Sequence, residues 1–332
     1  MRRNSNTWQN GKLLLLAFAI SIPFWWGINL FSETISTMSL GWQLRTNPEI
    51  LQAYAAQEAL NQKLQQAYPL RQKGSTALQV NARAAQSTLV KPDGAAKALF
   101  EQNQETPTLI ASLTKLMTAF VAMERYSADQ QVTITPEIVF VEGNSGQLRQ
   151  WQVFTIRDLL YIALIESSND AATALTQPAG YDAFIEAMNA KAANLDMQTA
   201  LFANPTGLDT LGGNYASASD LTKLAIHLKN TYPQIFDILS QQQFPIRMAN
   251  GKFHHTLINT NQLLGYKEWP AKILGGKTGW TPAAKQSLLL VAESPDKQGY
   301  IVNVILGSDD RFGEMKKLLA WNLASYQWNL EQ

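Results

Sequence analysis

Apolar and polar positions change period along this chain and mark out three regions. Residues 13–31, "LLLLAFAISIPFWWGINLF", are uncharged and, apart from Ser21 and Asn29, without polar side chains before Glu33, long enough to cross a bilayer as a helix. Between Pro48 and Pro69, "EILQAYAAQEALNQKLQQAY" sets Ile50, Tyr54, Leu60, Leu64 and Tyr68 at helical spacing with a thin apolar stripe. That pattern predicts a stalk helix, and its three short heptads are weak evidence for a coiled-coil dimer. From Gly74 the pattern becomes that of a folded domain. "TALQVNARAAQSTLV" and "GAAKALFEQN" flank the turn signal "KPDG" as two strands of a hairpin. Helical spacing follows over Leu113–Tyr126, Ile156–Glu166, Asp170–Leu175, Tyr181–Asn194 and Ser219–Lys229. Strand patterns return in "AKILGGKTGW", "QSLLLVAES" and "GYIVNVILGS", before a last helix around "GEMKKLLAWNLASYQW". Strands at both ends with helices between them predict an α+β fold whose sheet is assembled from distant parts of the chain. The expected organisation is a cytoplasmic N-terminus over 1–12, a membrane span over 13–31, a helical linker over 32–73 and one domain over 74–328.

Composition narrows the partners. A chain of 332 residues that is 46% hydrophobic and 16% charged can bury a core, which excludes a disordered protein. Its 27 Lys and Arg against 26 Asp and Glu leave a net charge of +1, so no long-range field recruits nucleic acid. The absence of cysteine removes disulfides, thiolate nucleophiles and thiolate metal sites together. Arg2, Arg3 and Lys12 precede the apolar run with no acid among them, which places the N-terminus inside and the bulk of the chain outside. No convincing A-x-A cleavage pattern follows, so an uncleaved signal anchor is expected over a cleaved signal peptide.

Three short motifs could carry chemistry. In "ASLTKLMTAF", Ser112 and Lys115 stand three apart and share a helix face. A serine hydroxyl needs a neighbouring base to become a nucleophile. A lysine serves as that base only when neutral, and burial among Leu113, Leu116, Met117 and Phe120 would favour the neutral form. An ordinary helix with an outward-snorkelling lysine is the plain alternative, since S-x-x-K arises about once by chance in a chain of this length. A second copy, "SPDK" from Ser294 to Lys297, reads as a solvent-facing turn. "LIESSNDAA" sets Ser167 and Asn169 at a break between helices, where both can face a cleft, although helix capping explains such residues equally well. "LGGKTGWT" places Lys277 and Thr278 in a glycine-flanked strand, and glycine there marks a close approach by another backbone or a bulge.

Taken together, S-x-x-K, S-x-N and K-T-G in this order resemble the serine penicillin-recognising enzymes. The blocks "ASLTKLMTA", "LLYIALIESSNDAATAL", "FANPTGLD", "ASASDLTKLA" and "GGKTGWT" look like those of the D-alanyl-D-alanine carboxypeptidases among the low-molecular-weight penicillin-binding proteins. That resemblance implies a serine DD-peptidase/β-lactamase-like fold, an antiparallel sheet flanked by helices with a helical subdomain. It implies an acyl-enzyme on Ser112, with Lys115 as its base and Ser167 relaying a proton to the leaving amine. Asn169 would orient the substrate amide, Lys277 and Thr278 would hold the terminal carboxylate, and Gly279 would let substrate backbone lie along the strand. The backbone N–H groups of Ser112 and Trp280 would form the oxyanion hole. The implied substrate is a peptidoglycan stem peptide ending in D-Ala-D-Ala, β-lactams are the implied inhibitors, and no metal or cofactor is required. The implied location is the bacterial cytoplasmic membrane, held by the 13–31 segment where many relatives use a C-terminal amphipathic anchor, with the catalytic domain outside the cytoplasm.

Departures and competitors sharpen this expectation. The residue three before Lys277 is often acidic in the family, and here it is Leu274. Gly307 is followed by Ser308, Asp309 and Asp310 where some relatives carry an arginine, so Arg311 is considered as a stand-in. A β-lactamase of class A would carry S-D-N and a downstream glutamate, whereas Glu166 directly precedes Ser167. A metallopeptidase is disfavoured because the adjacent His254 and His255 should point to opposite faces of a surface strand. A DD-endopeptidase and a non-catalytic, membrane-tethered wall-binding protein complete the alternatives.

Overall fold

The structure, a computed structural model, describes residues 48–67, 69–143, 146–209 and 213–328. The predicted segments 1–12 and 13–31 lie outside the described residues. Among the described residues no helix is long and apolar enough to cross a membrane. The chain divides into two compact units, Met1–Tyr68 and Pro69–Gln332. Within the first, the helix α1 (Pro48–Ala67) occupies the segment whose spacing predicts a stalk, and Leu51 and Tyr54 on it are half exposed.

The second unit is built on a five-stranded antiparallel sheet. Its strands are β1 (Ala84–Val90), β2 (Ala96–Gln102), β3 (Ile273–Thr281), β4 (Lys285–Glu293) and β5 (Tyr300–Ser308), in the spatial order β3-β4-β5-β1-β2. Between β2 and β3 the chain makes α2 (Lys115–Arg125), α3 (Ile156–Ile165), α4 (Asn169–Ala174), α5 (Tyr181–Asn194) and α6 (Ala218–Thr231), and α7 (Arg311–Ser325) follows β5. Thus the hairpin β1–β2 and the three late strands meet although 170 residues separate Gln102 from Ile273, as the strand–helix–strand pattern predicts.

Both faces of the sheet are covered, which is why its late strands read as apolar runs. Along β4, Leu288, Leu290 and Ala292 join the cluster containing Met315, Leu318 and Leu319 of α7. The alternate residues Leu289 and Val291 join Leu116, Phe120, Leu159 and Leu224 of the helical layer. Burial of each such Leu is worth roughly 1.5–3 kcal/mol. At the centre of that layer lies α2, whose residues from Lys115 to Ala122 are all buried.

Some elements differ from expectation for identifiable reasons. The segment predicted as one long first strand is extended-paired only over Ala84–Val90. Upstream, the Gln102 side chain takes the place of a ladder, accepting from Val80 N and donating to Val80 O and Ala82 O. The predicted helix 113–126 opens instead as a 3-10 turn, Ala111–Thr114, before α2 begins. Residues Leu70 and Arg71, inside the segment read as linker, pair with Tyr326 and Gln327.

Candidate active site

The 3-10 turn that precedes α2 fixes Ser112. Ala111 has φ +47°, a left-handed conformation costing about 1–2 kcal/mol for a residue with a Cβ. Thr114 Oγ1 donates to Ala111 O at 2.8 Å and accepts from Asn214 Nδ2 at 2.9 Å. Two other backbones press against the turn at glycines. A Cβ at Gly207, whose φ is +87°, would lie 1.9 Å from Ala111 O, and one at Gly279 would lie 2.9 Å from Ile110 O and 3.3 Å from Ser112 N. Only glycine permits either approach.

One turn on, the Lys115 amine lies 2.9 Å from Ser112 Oγ. It also donates to Asn169 Oδ1 at 2.6 Å and to Thr206 O at 2.7 Å. Those two oxygens can only accept, whereas a hydroxyl can also donate. A neutral amine therefore keeps both carbonyl partners with its two N–H bonds and turns its lone pair to the Ser112 proton. Burial lowers this amine from its ordinary 10.5 to about 7, while the Asp170 carboxylate pulls the other way. The carbonyl of Thr206 is itself aimed, since Asn204 Oδ1 accepts from Thr206 N at 3.1 Å and Gly207 N at 2.8 Å.

The second corner forms where α3 gives way to α4. Capping falls to Ser168, whose Oγ accepts from Ala171 N at 3.0 Å and donates to Asp170. Ser167, at φ +65°, and Asn169 are thereby left to meet the two lysines, Lys277 and Lys115. Ser167 Oγ accepts from Lys277 Nζ at 2.6 Å. Asn169 Nδ2 donates to Glu142 O at 2.8 Å, so its amide oxygen is the one facing Lys115. The buried Asp170 carboxylate accepts from Gly146 N and Leu148 N, tying the same loop over the site.

Lys277 is fully buried on β3. Burial, with Lys115 and Arg311 adding positive charge nearby, holds its amine well below the usual lysine range. It also donates to Thr278 O at 3.0 Å. Thr278 Oγ1 stands 2.6 Å from Thr260 Oγ1, and Trp280 is 60% exposed. Arg311, at the start of α7, donates from Nη1 to Gly279 O at 2.9 Å, and its Nε is buried with no partner among the described residues. The adjacent acids are engaged elsewhere, Asp309 with Lys285 at 2.9 Å and Asp310 as the α7 cap. The structure therefore gathers Ser112, Lys115 and Asn169 into one bonded group and Ser167 and Lys277 into another. Gly279 lies against the first of these, with Thr278 and Trp280 flanking it on β3.

Two placements correct the sequence reading. His254 and His255 do not point to opposite faces of a strand. A bulge opposite Ile246 and Arg247 breaks the alternation, so the two Nδ1 atoms lie 2.7 Å apart and His255 Nε2 lies 2.9 Å from Glu166 Oε2. The "SPDK" turn is present, but Ser294 within it is buried and bonds Asp296. Residues that local reasoning missed include Thr206 and Gly207, for which the only signal is the block "FANPTGLD", and Thr260, which has none.

A D-alanyl-D-alanine carboxypeptidase family model matches residues 73–310. A D-alanyl-D-alanine endopeptidase of Escherichia coli is 33% identical over 68% of this chain and 73% of its own length. The D-alanyl-D-alanine carboxypeptidase DacD of the same organism is 31% identical over 68% of this chain and 59% of its own. Among solved structures, ampicillin-bound penicillin-binding protein D2 of Listeria monocytogenes superposes with a TM-score of 0.65 at 29% identity, covering 75% of this chain and 99% of that one. With the family model spanning most of the folded unit, the chain belongs to the D-alanyl-D-alanine carboxypeptidase family of peptidases.

Proposed function

We propose that this protein is a serine DD-peptidase that hydrolyses the bond following a D-alanine in peptidoglycan stem peptides, removing the terminal D-alanine as a carboxypeptidase. The observation that carries the reading is the 2.9 Å contact between Ser112 Oγ and an amine whose pKa burial brings to about 7. Such an amine takes the Ser112 proton as the oxygen attacks the D-alanyl carbonyl. The developing oxyanion is met by the N–H groups of Ser112 and Trp280. The C–N bond then breaks, and the proton taken from Ser112 reaches the leaving nitrogen through Ser167. Water attacks the resulting ester, passes a proton through Lys115 back to Ser112 Oγ, and frees the acid. Asn169 orients the substrate amide. Thr278 and the Lys277 amine receive the carboxylate, whose negative charge would raise the Lys277 amine against the lowering by burial. Arg311 stands as a further cation at that end, and residues 13–31 hold the domain at the outer side of the cytoplasmic membrane.

A second reading, cleavage of cross-links as an endopeptidase, is favoured by the relative that is 33% identical, which bears that name and is covered over 73% of its length. Two measurements test these readings. Intact-mass spectrometry after incubation with a penicillin should show a lasting adduct on Ser112. Rapid loss of that adduct would point to a β-lactamase, and no adduct would leave a non-catalytic wall-binding protein. Digestion of purified peptidoglycan should then release free D-alanine. Conversion of cross-linked dimers to monomers without free D-alanine would replace the carboxypeptidase by the endopeptidase.

A further inference from the structure

The three motifs leave out a hydroxyl that touches one of their members. Thr260 Oγ1 is 2.6 Å from Thr278 Oγ1, and either atom can be the donor. Thr260 follows the strand Phe253–Ile258 in a segment with little freedom. Its N–H donates to Ile165 O, the last residue of α3, at 3.2 Å. On one side Asn259 Nδ2 donates to Leu239 O at 3.2 Å and to Gln241 O at 2.8 Å. On the other, Asn261 N donates to Asn259 Oδ1 at 2.8 Å. The same segment packs on β3, because a Cβ at Gly276 would come within 3.0 Å of Asn261 Nδ2. Thr260 thus connects the end of α3, two residues before Ser167, to the strand that carries Lys277 and Thr278.

A hydroxyl has one proton to give and lone pairs with which to accept. Thr278 is only 3% exposed, so it has few partners to choose from. If Thr278 donated to Thr260, it would meet an arriving carboxylate with lone pairs alone, and an ionised carboxylate accepts only. If Thr260 donates, the Thr278 proton is left over for the carboxylate, and rotation of the Thr278 hydroxyl is already restricted. We propose that Thr260 is a positioning residue, donating to Thr278 and so aiming the Thr278 O–H at the carboxylate of the substrate's leaving residue. This rests on the peptidase reading above. The bond comes from a backbone anchored on α3, so one segment sets the carboxylate end and the Ser167 corner relative to each other.

The test is steady-state hydrolysis of a peptide ending in D-Ala-D-Ala by wild type, Thr260→Val, Thr260→Ser, Thr278→Val and the Thr260→Val/Thr278→Val double variant, with thermal melts to confirm folding. Thr260→Val should raise KM about tenfold with kcat little changed, the size of a lost bond to a charged group. Thr260→Ser should restore the wild-type KM. In the Thr278→Val background, Thr260→Val should cost nothing further, because its effect passes through Thr278. A loss seated in kcat, additive losses in the double variant, or a serine that fails to restore KM would overturn the proposal. Wild type separates the two levels. If penicillin leaves no adduct on Ser112, the peptidase reading itself has failed. If the adduct forms and Thr260→Val matches wild type, only the role of Thr260 is lost.

Discussion

The Ser112–Lys115 and Ser167–Lys277 corners set the same two side chains in contact, at 2.9 and 2.6 Å, in equally buried surroundings, and yet they are not equivalent. Lys115 has two carbonyl acceptors besides its serine and feels the Asp170 carboxylate, so its amine comes to rest near 7. Lys277 has one carbonyl besides its serine, and the charges it feels, Lys115 and Arg311, are both positive. Desolvation lowers both lysines, and the fixed neighbours decide how far. Proximity of serine and lysine therefore does not define a role. The first pair is poised to trade a proton at neutral pH. The second faces only positive neighbours, so under the proposed function a substrate carboxylate would supply the counter-charge that it lacks.

The sharpest break of this contrast is Lys115→Ala, expected to lower the acylation rate about 10³-fold with the melting transition preserved. Lys277→Ala, by the same logic, should act first on substrate affinity. An unaltered acylation rate in Lys115→Ala, followed by mass spectrometry, would transfer the base role elsewhere. Next in size is Gly207→Ala. Its Cβ would enter the space of Ala111 O at a φ of +87°, so a loss of about 3 kcal/mol in denaturant unfolding is expected, with the Ser112 corner disturbed more than the Ser167 corner.

The pH dependence follows from the same comparison. Under the mechanism proposed above, acylation needs neutral Lys115, so its rate should climb from about pH 6 to 8 with a midpoint near 7; a flat profile would leave Lys115 out of the step. Folding is linked to the same proton. Between about 7 and 10.5 the unfolded chain keeps a proton on Lys115 that the native state has lost, so unfolding takes up protons and stability rises with pH in that window. Relative to Lys115→Met, the wild-type unfolding free energy should gain up to about 1.4 kcal/mol per pH unit there. The smallest effect belongs to Ser168→Ala, which removes the α4 cap and should cost about 1 kcal/mol by thermal unfolding. If the second corner depends on that cap to hold Ser167 at φ +65°, the Lys277 side should suffer while penicillin still acylates Ser112.

Much of the architecture was legible because strands covered on both faces, such as "QSLLLVAES", are apolar throughout, and helices such as Ile156–Ile165 keep their period. The helix that opens the site was legible only in part. A 3-10 turn and an α-helix share their early spacing, and the choice at Ala111 is imposed by Gly207 and Gly279 pressing from outside. The histidine pair was misjudged because strand alternation assumes an unbroken ladder, and a bulge is set by the partner strand. Ser168 took the capping duty that could as well have fallen to Ser167 or Asn169, a competition decided by one backbone angle.

What the sequence by itself determined is everything carried by covalent neighbourhood. Ser112 and Lys115 are one turn apart, Ser167 and Asn169 flank a helix break, and Lys277 to Trp280 follow one another along a strand. Tertiary structure decided which of these meet. Asn169 reaches Lys115 across 54 residues, Thr206 across 91, and Ser167 reaches Lys277 across 110. It also lowered the pKa of both lysines, because the desolvation that lowers an amine comes from whatever packs around it, and in this protein those atoms belong to distant parts of the chain.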